Sequence, residues 1–337
     1  MALVRLTDLV FGPNFNSYTV QESIRKNAFV GAGVVVEDAA VAAMASEQGF
    51  LHNVPFFKRL ANDEPNASTD DPADVAVPKK IGTGAQIARK LMRNQGWSSA
   101  DLNTALIARD PIEVIAGQVS DYWAGVEQTT LLKVCQGILA DNIANDGGDM
   151  VKTVGTDATG TATDAELFNT NTLIDTAQTM GDMKGALRAI AVHSVIHARM
   201  QKIGALVDQF DPETGRVLFQ TYLGYRVIVD DDMPVTMGTN RPMYTSILFG
   251  AGAFSMGAGT PKTPTAVDRE EAEGNGEGVE TLWNRRHVIL HPQGFAVAGT
   301  QVSGTATPTY ATLASAASWD RVVERKRVNL AFLRTNG

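Results

Sequence analysis

Apolar and polar positions alternate irregularly along most of this chain, but one stretch is regular over some thirty residues. It opens at Asp110-Pro111-Ile112-Glu113, where Asp110 suits an N-cap, Pro111 the first helical position, and Glu113 closes a capping box. Apolar side chains then recur three and four apart, at Ile112, Ile115, Val119, Tyr122 or Trp123, and Val126, and the pattern continues through Leu131, Val134, Ile138 and Leu139. Gly147-Gly148 supplies the stop. A helix from Asp110 to about Ala144 is ~45 to 50 Å long, several times the usual length.

Around this helix the pattern is mixed. Residues 1–50 read as an arm: Phe11-Gly12-Pro13-Asn14-Phe15-Asn16 is turn-rich, Val20 to Val30 suits a short helix, and Val34-Val35-Val36 a strand. Asp63, Glu64, Asp70, Asp71 and Asp74 crowd a stretch broken by Pro65, Pro72 and Pro78, then Lys79, Lys80, Arg89, Lys90 and Arg93 follow. Taken alone this reads best as a solvated loop of mixed charge; the sharper reading is a two-stranded projection, acidic loop and basic returning strand, whose charges meet those of neighbouring subunits. A short helix is predicted over Ser99 to Ala108, and a second long helix over Asp182 to Val207. Strands are predicted at Val217 to Tyr222, Tyr225 to Asp230, Tyr244 to Phe249, Phe254 to Met256 and Arg285 to His291. Asp268 to Glu280 reads as an acidic turn and Thr309 to Trp319 as a short helix. In the last strand Val328, Leu330 and Phe332 alternate with polar residues. The class is α+β, without a visible internal repeat.

Composition narrows the function. The chain has 337 residues, 44% hydrophobic and 20% charged, enough apolar material for a real core. Its net charge of −8 is wrong for gripping nucleic acid and suits a surface beside packed DNA that must not adhere to it. The single Cys135 allows neither an internal disulfide nor a multi-cysteine zinc site, and points to synthesis in a reducing compartment. No signal-peptide pattern opens the chain and no apolar run reaches ~20 residues, so a soluble, cytoplasmic nascent protein is expected.

Candidate chemistry is sparse. Gly31-Ala32-Gly33, Gly250-Ala251-Gly252 and Gly257-Ala258-Gly259 lack the strand–turn–helix context of a nucleotide fingerprint, and tight turns explain them better. His193 and His197 stand at metal-ligand spacing, but Ser194 occupies the position of a zincin's general base, so packed, hydrogen-bonded histidines are the better reading. His287 and His291 flank a strand with Arg285 and Arg286, which could bind an anion, though a strand end at an intersubunit contact suits them at least as well. Asp230-Asp231-Asp232 reads as a strand-ending turn rather than a cation site, and Cys135 and Trp123 as core residues. No catalytic, cofactor-binding or metal-ligating residue is assigned, and no cofactor is expected.

The order of these elements, with certain stretches, resembles the tailed-phage major capsid proteins of the Hong Kong 97-type capsid fold. The stretches are Trp97-Ser98-Ser99-Ala100-Asp101-Leu102, Asp110-Pro111-Ile112, Tyr122-Trp123, Gly224-Tyr225-Arg226-Val227-Ile228-Val229-Asp230, Leu248-Phe249-Gly250-Ala251-Gly252-Ala253-Phe254 and Arg286-His287-Val288-Ile289-Leu290-His291-Pro292-Gln293-Gly294. The resemblance runs from about Phe50 to the end. It implies an N-terminal arm over 1–50, an E-loop region over 51–110, a peripheral-domain spine helix over 111–150, an axial domain over 151–284, and return strands of the peripheral domain over 285–337. It also implies a non-enzymatic, self-assembling subunit of pentamers and hexamers, enclosing double-stranded DNA in an icosahedral head without sequence-specific binding. The implied partners are itself, a scaffolding protein, a portal and a decoration protein, with no membrane, in the virion and, during assembly, the host cytoplasm. An encapsulin-like nanocompartment shell, or a metal-dependent enzyme using His193 and His197, are the alternatives.

Overall fold

The computed structural model describes residues 28–102, 111–204, 206–210, 215–303 and 307–337. Asp110, the N-cap of the predicted long helix, falls outside them, as do most of the Val20–Val30 and Ser99–Ala108 helices. Within the described residues the chain opens with a single helical turn α1 (Ala28–Gly31), strand β1 (Val35–Glu37) and helix α2 (Ala39–Ser46). Strands β2 (Leu51–Phe57) and β3 (Thr83–Ala100) follow, then the long helix α3 (Pro111–Asn145). At 35 residues, α3 is about 52 Å long. It ends where Gly147 and Gly148 take φ of +69° and +73°, and the Gly148 amide donates back to the Asn142 carbonyl. Ser99 and Ala100 belong to β3, so the short helix predicted from Ser99 does not begin there.

After β4 (Val151–Thr153) and α4 (Thr170–Gln178) comes the largest departure from expectation. The helix predicted over Asp182–Val207 is a 3-10 turn at Gly181–Ala186, strand β5 (Leu187–Val192), helix α5 (Ser194–Ile203) and strand β6 (Leu206–Phe210). Ile190, Ala191 and Val192 form an unbroken buried run in the middle of a sheet. Such a run carries no period that separates strand from helix.

The rest is mostly strand: β7 (Val217–Tyr222), β8 (Tyr225–Val229), β9 (Val235–Met237), β10 (Pro242–Gly250), β11 (Phe254–Gly259), β12 (Thr265–Glu270), β13 (Val279–Pro292) and β14 (Phe295–Val297). A helical turn α6 (Thr300–Ser303), another, α7 (Tyr310–Leu313), β15 (Trp319–Arg321) and β16 (Leu330–Thr335) complete the chain. Of the acidic turn expected over Asp268–Glu280, residues 271–278 are the connection of a hairpin, and its ends are strand, with Asp268 to Glu270 in β12 paired to Val279 to Thr281 in β13. The helix expected over Thr309–Trp319 shrinks to α7, capped by the Thr309 side chain, and a 3-10 turn at Ala316–Ser318.

Two large sheets result. One has the order β1-β11-β13-β3-β2, with β12 also on β13; the other has the order β4-β16-β10-β5-β8-β7-β6, with β9 on β10. In the second sheet β5, β10 and β16 are covered on both sides. Ile247, Phe249, Leu330 and Phe332 face Leu131, Leu132, Cys135 and Ile138 of α3. Leu248, Ala331 and Leu333 face Leu173, Ile196 and Met200 of α4 and α5. β16 is thus buried on both faces rather than alternating, and although it lies within 285–337 it pairs with β10 and β4 from within 151–284.

α3 is the common wall of the two sheets, and it is unequal along its length. Its C-terminal half is largely buried, whereas Gln118, Ser120, Asp121 and Tyr122 in the first half are exposed. At Gly137 the helix approaches the 313–319 segment so closely that an added Cβ would lie 2.1 Å from the Leu313 carbonyl oxygen and 2.4 Å from Trp319 Nε1. The Trp319 indole donates to that same carbonyl at 2.8 Å.

Candidate assembly surfaces

The projecting hairpin follows from strand length. β3 runs for 18 residues, far beyond the usual ~5–6. Its second half pairs with β13, from Lys90↔Ile289 to Ala100↔Val279, and its first half pairs only with β2. β2 is an edge strand, which is why Pro55 is tolerated within it. Beyond the ladder, every residue from 57 to 83 is exposed. Phe57 is 71% and Val75 82% accessible, with Leu60 and Val77 similarly bare. Lys79 bridges to Asp63 at 3.3 Å, the Thr69 hydroxyl donates to Asp74, and the Asp71 carboxylate accepts from the Ala73 amide. These contacts shape the loop without giving it a core.

The root of the hairpin is built tightly. α2 lies across β11, where Cβ atoms at Gly257 and Gly259 would fall 2.3 Å from the Ala42 amide and 2.2 Å from the Ala45 carbonyl oxygen. Gly257-Ala258-Gly259 is therefore a strand segment that admits a helix, not the tight turn its composition suggests. Gly252, with φ of +62°, does serve as a turn. The Lys90 ammonium, almost fully buried, donates to the Glu47 carbonyl at the C-terminal end of α2, where a cation is favoured. Burial lowers the Lys90 pKa, and burial with the Lys90 charge lowers that of His52 and of His287.

The charged residues on β13 divide between its two sides. Arg286 pairs with Glu127 of α3 at 2.9 Å, although burial outweighs that pairing and holds the Glu127 carboxyl above its ordinary range. Trp123 donates its indole N–H to Asn284 at 2.7 Å. His291 is buried, shares a 3.0 Å hydrogen bond with Gln86 of β3, and has its pKa pushed down to about 4 by desolvation.

The histidine pair is not brought together as a ligand set. His193 precedes α5 as its N-cap, with Nδ1 accepting from the Val195 amide, and its ring packs against Tyr244 with centroids 5.0 Å apart. His197 instead hydrogen-bonds Gln220 of β7 at 2.7 Å. Asp230 accepts from Gln128 of α3 and from the Asp232 amide, and Asp231 is held below the ordinary carboxyl range by the Ser194 side chain and then by the Ser194 amide, which donates to it. The aspartates close β8. Among the described residues no three His, Cys, Asp or Glu side chains are grouped to hold a metal ion. Cys135 is completely buried, and desolvation pushes its thiol pKa far up. No described helix is long and apolar enough to cross a membrane.

Two contact features escaped the sequence reading. One is α2, whose run Ala39-Ala40-Val41-Ala42-Ala43 behind the N-cap Asp38 was a readable signal. The other is the β6–β7 edge, where Val207, Phe210, Val217 and Leu218 are exposed.

No protein-family model matches the chain. It is 32% identical over 334 residues to the major capsid protein of Bacillus phage SPP1, across 98% of this chain and 97% of that protein. Its fold matches a chain of the cyanophage Pam1 capsid asymmetric unit with a TM-score of 0.59 and 8% identity, covering 99% of this chain and 98% of that one. It also matches the capsid of Ralstonia phage GP4 with a TM-score of 0.60 and 9% identity, covering 86% of this chain and 93% of that one. The structural matches establish the Hong Kong 97-type capsid fold, and at the identity and coverage of the SPP1 relative the chain belongs to the major capsid proteins of tailed bacteriophages, the structural subunits of the phage shell.

Proposed function

We propose that this subunit assembles with copies of itself into pentamers and hexamers that close an icosahedral head around double-stranded DNA, without catalysis. The observation that carries this reading is the hairpin of 57–83, wholly exposed and bearing Phe57, Leu60, Val75 and Val77 that its own chain leaves uncovered. A neighbouring copy supplies the missing cover, and repetition of one such contact around an axis closes a ring. In this reading 1–50 is the arm, 51–110 the E-loop region and 111–150 the spine of a peripheral domain. Residues 151–284 form an axial domain, and 285–337 return to the peripheral domain while lending β16 to the axial sheet. The net charge of −8 supports a surface that confines DNA without binding its sequence.

A scaffolding protein, a portal and a decoration protein belong to the same proposal as partners. Expression alone and with a scaffold, followed by negative-stain imaging, tests it. Closed shells that carry nuclease-resistant DNA when recovered from an infected host are the expected result. A folded subunit that stays monomeric at high concentration in both settings overturns it.

A further inference from the structure

Arg285, Arg286 and His287 meet at a notch in the edge of the first sheet. His291, four residues on, takes no part, being buried against Gln86. Along β13, the pairing with β11 ends at Gly259↔His287 and that with β12 begins at Thr265↔Asn284. The Arg285 amide, donating to the Pro264 carbonyl, spans the gap. There the segment 260–264 and the first half of α3 enclose a groove of about 490 Å³, whose lining includes Ser120, Thr260, Arg285, Arg286 and His287. In a chain of net charge −8, this lining holds no carboxylate among the described residues. Arg286 is already paired with Glu127 of α3 at 2.9 Å. Arg285 gives one guanidinium donor to the Thr263 carbonyl at 3.2 Å, and no described carboxylate pairs with it. His287 lies two residues further on the same face of the strand. Among the described residues, no hydrogen bond engages its ring or the hydroxyls of Ser120 and Thr260. Lys262 stands exposed in the same segment.

Unused donors from a guanidinium, an imidazole and two hydroxyls therefore surround one space. A planar carboxylate is satisfied by the guanidinium fork alone, whereas donors on several sides suit an anion with oxygens in several directions. We propose that this groove is a phosphate site, with Arg285 as its charged anchor and His287, Ser120 and Thr260 as its further donors. The site goes beyond the shell reading and does not depend on it. A backbone phosphate of DNA and a free phosphate present the same charged oxygens to it. With one anchoring guanidinium it holds its ligand weakly and reads no base sequence.

The test is a titration of the full, unassembled chain with inorganic phosphate, followed by proton NMR of the histidine rings, with His287→Gln assigning the His287 signal. Burial and the Lys90 charge lower the pKa of His287, and a bound anion favours the imidazolium, so phosphate should move this titration to higher pH. A histidine with a purely structural role would not respond. Arg285→Gln should weaken phosphate binding about tenfold or more, whereas Lys326→Gln, which removes a surface charge beside Asp182, should change it by less than about twofold. A short DNA duplex then separates the sources. If it displaces phosphate, with a salt slope that Arg285→Gln reduces by about one, the ligand is the DNA backbone; if it does not, the ligand is free phosphate, and either result supports the site. A His287 signal that ignores phosphate overturns the site using the wild-type chain alone. So do equal losses in Arg285→Gln and Lys326→Gln. If Arg285→Gln binds phosphate like wild type but assembles poorly, the groove is a contact between copies and the site is likewise overturned.

Discussion

Acid should loosen this subunit through His291. The ring is 6% accessible on β13 and, among the described residues, hydrogen-bonds through Nε2 to the Gln86 side-chain oxygen. Desolvation lowers its pKa from 6.5 to about 4, so the unfolded chain binds a proton more readily than the folded one. Above pH 6.5 both states are neutral and His291 contributes no pH dependence. As pH falls below 6.5 the unfolded state gains the proton first, and stability is lost until about pH 4, where the folded ring also titrates. At 1.36 kcal/mol per pH unit, the accumulated loss at pH ~4.5 is about 2.5 kcal/mol. Burial with the Lys90 charge also lowers the pKa of His52 and of His287, so the comparison must be with His291→Gln, which keeps an N–H for Gln86. Urea unfolding of the unassembled subunit, followed by tryptophan fluorescence near neutrality and at pH ~4.5, gives the two stability differences. Wild type should lose about 2.5 kcal/mol more than His291→Gln between the two conditions. Equal losses would refute the assignment of a low pKa to this ring.

Two further outcomes depend on close backbone approach. Gly137→Ala in an exposed helix would add about 0.5–1 kcal/mol of stability, but here the new methyl group meets Leu313 and Trp319, so a loss of about 1–3 kcal/mol is expected in urea unfolding; a gain would show that the helix does not sit this near. Gly257→Ala should lift α2 from β11, which hydrogen exchange reads as faster exchange of the Glu47 amide, bonded to the Ala43 carbonyl; unchanged protection there would mean that α2 tolerates a side chain beneath it.

What was legible in the residues follows the range of the forces involved. The long helix α3 announces itself because spacing and stop signals are local. The strands β7, β8, β10, β11 and β13 are similarly visible, each bounded by Gly, Pro or Asp. The stretch 182–207 misleads for the opposite reason. Ile190 to Val192 are strand because β10 and β8 lie on either side of them, and no window around position 190 contains that fact. α2 is similar: an alanine-rich run says little until it is matched with glycines more than two hundred positions later. Among the assembly surfaces, the charges of the hairpin were readable from composition. The nakedness of Phe57 and Val75 was not, since exposure is the absence of a partner. The family itself was legible in the order of elements rather than in any single motif, which agrees with the low identity of its structural matches.

The pairing of β3 with β13 also sets a clock. Ala100 must wait for Val279, and β1 for Phe254, before either acquires its neighbour. At ~5–20 residues per second, the ribosome needs roughly 10–35 s to make the intervening chain after β3 has emerged. During that interval half of an 18-residue strand has no partner on its inner side. Unpaired edges of that length invite pairing between nascent chains, so slow or crowded translation should favour aggregates over subunits. The same wait is protective, because a chain cut short before β13 cannot brace the root of its hairpin and is poorly equipped to enter a growing shell.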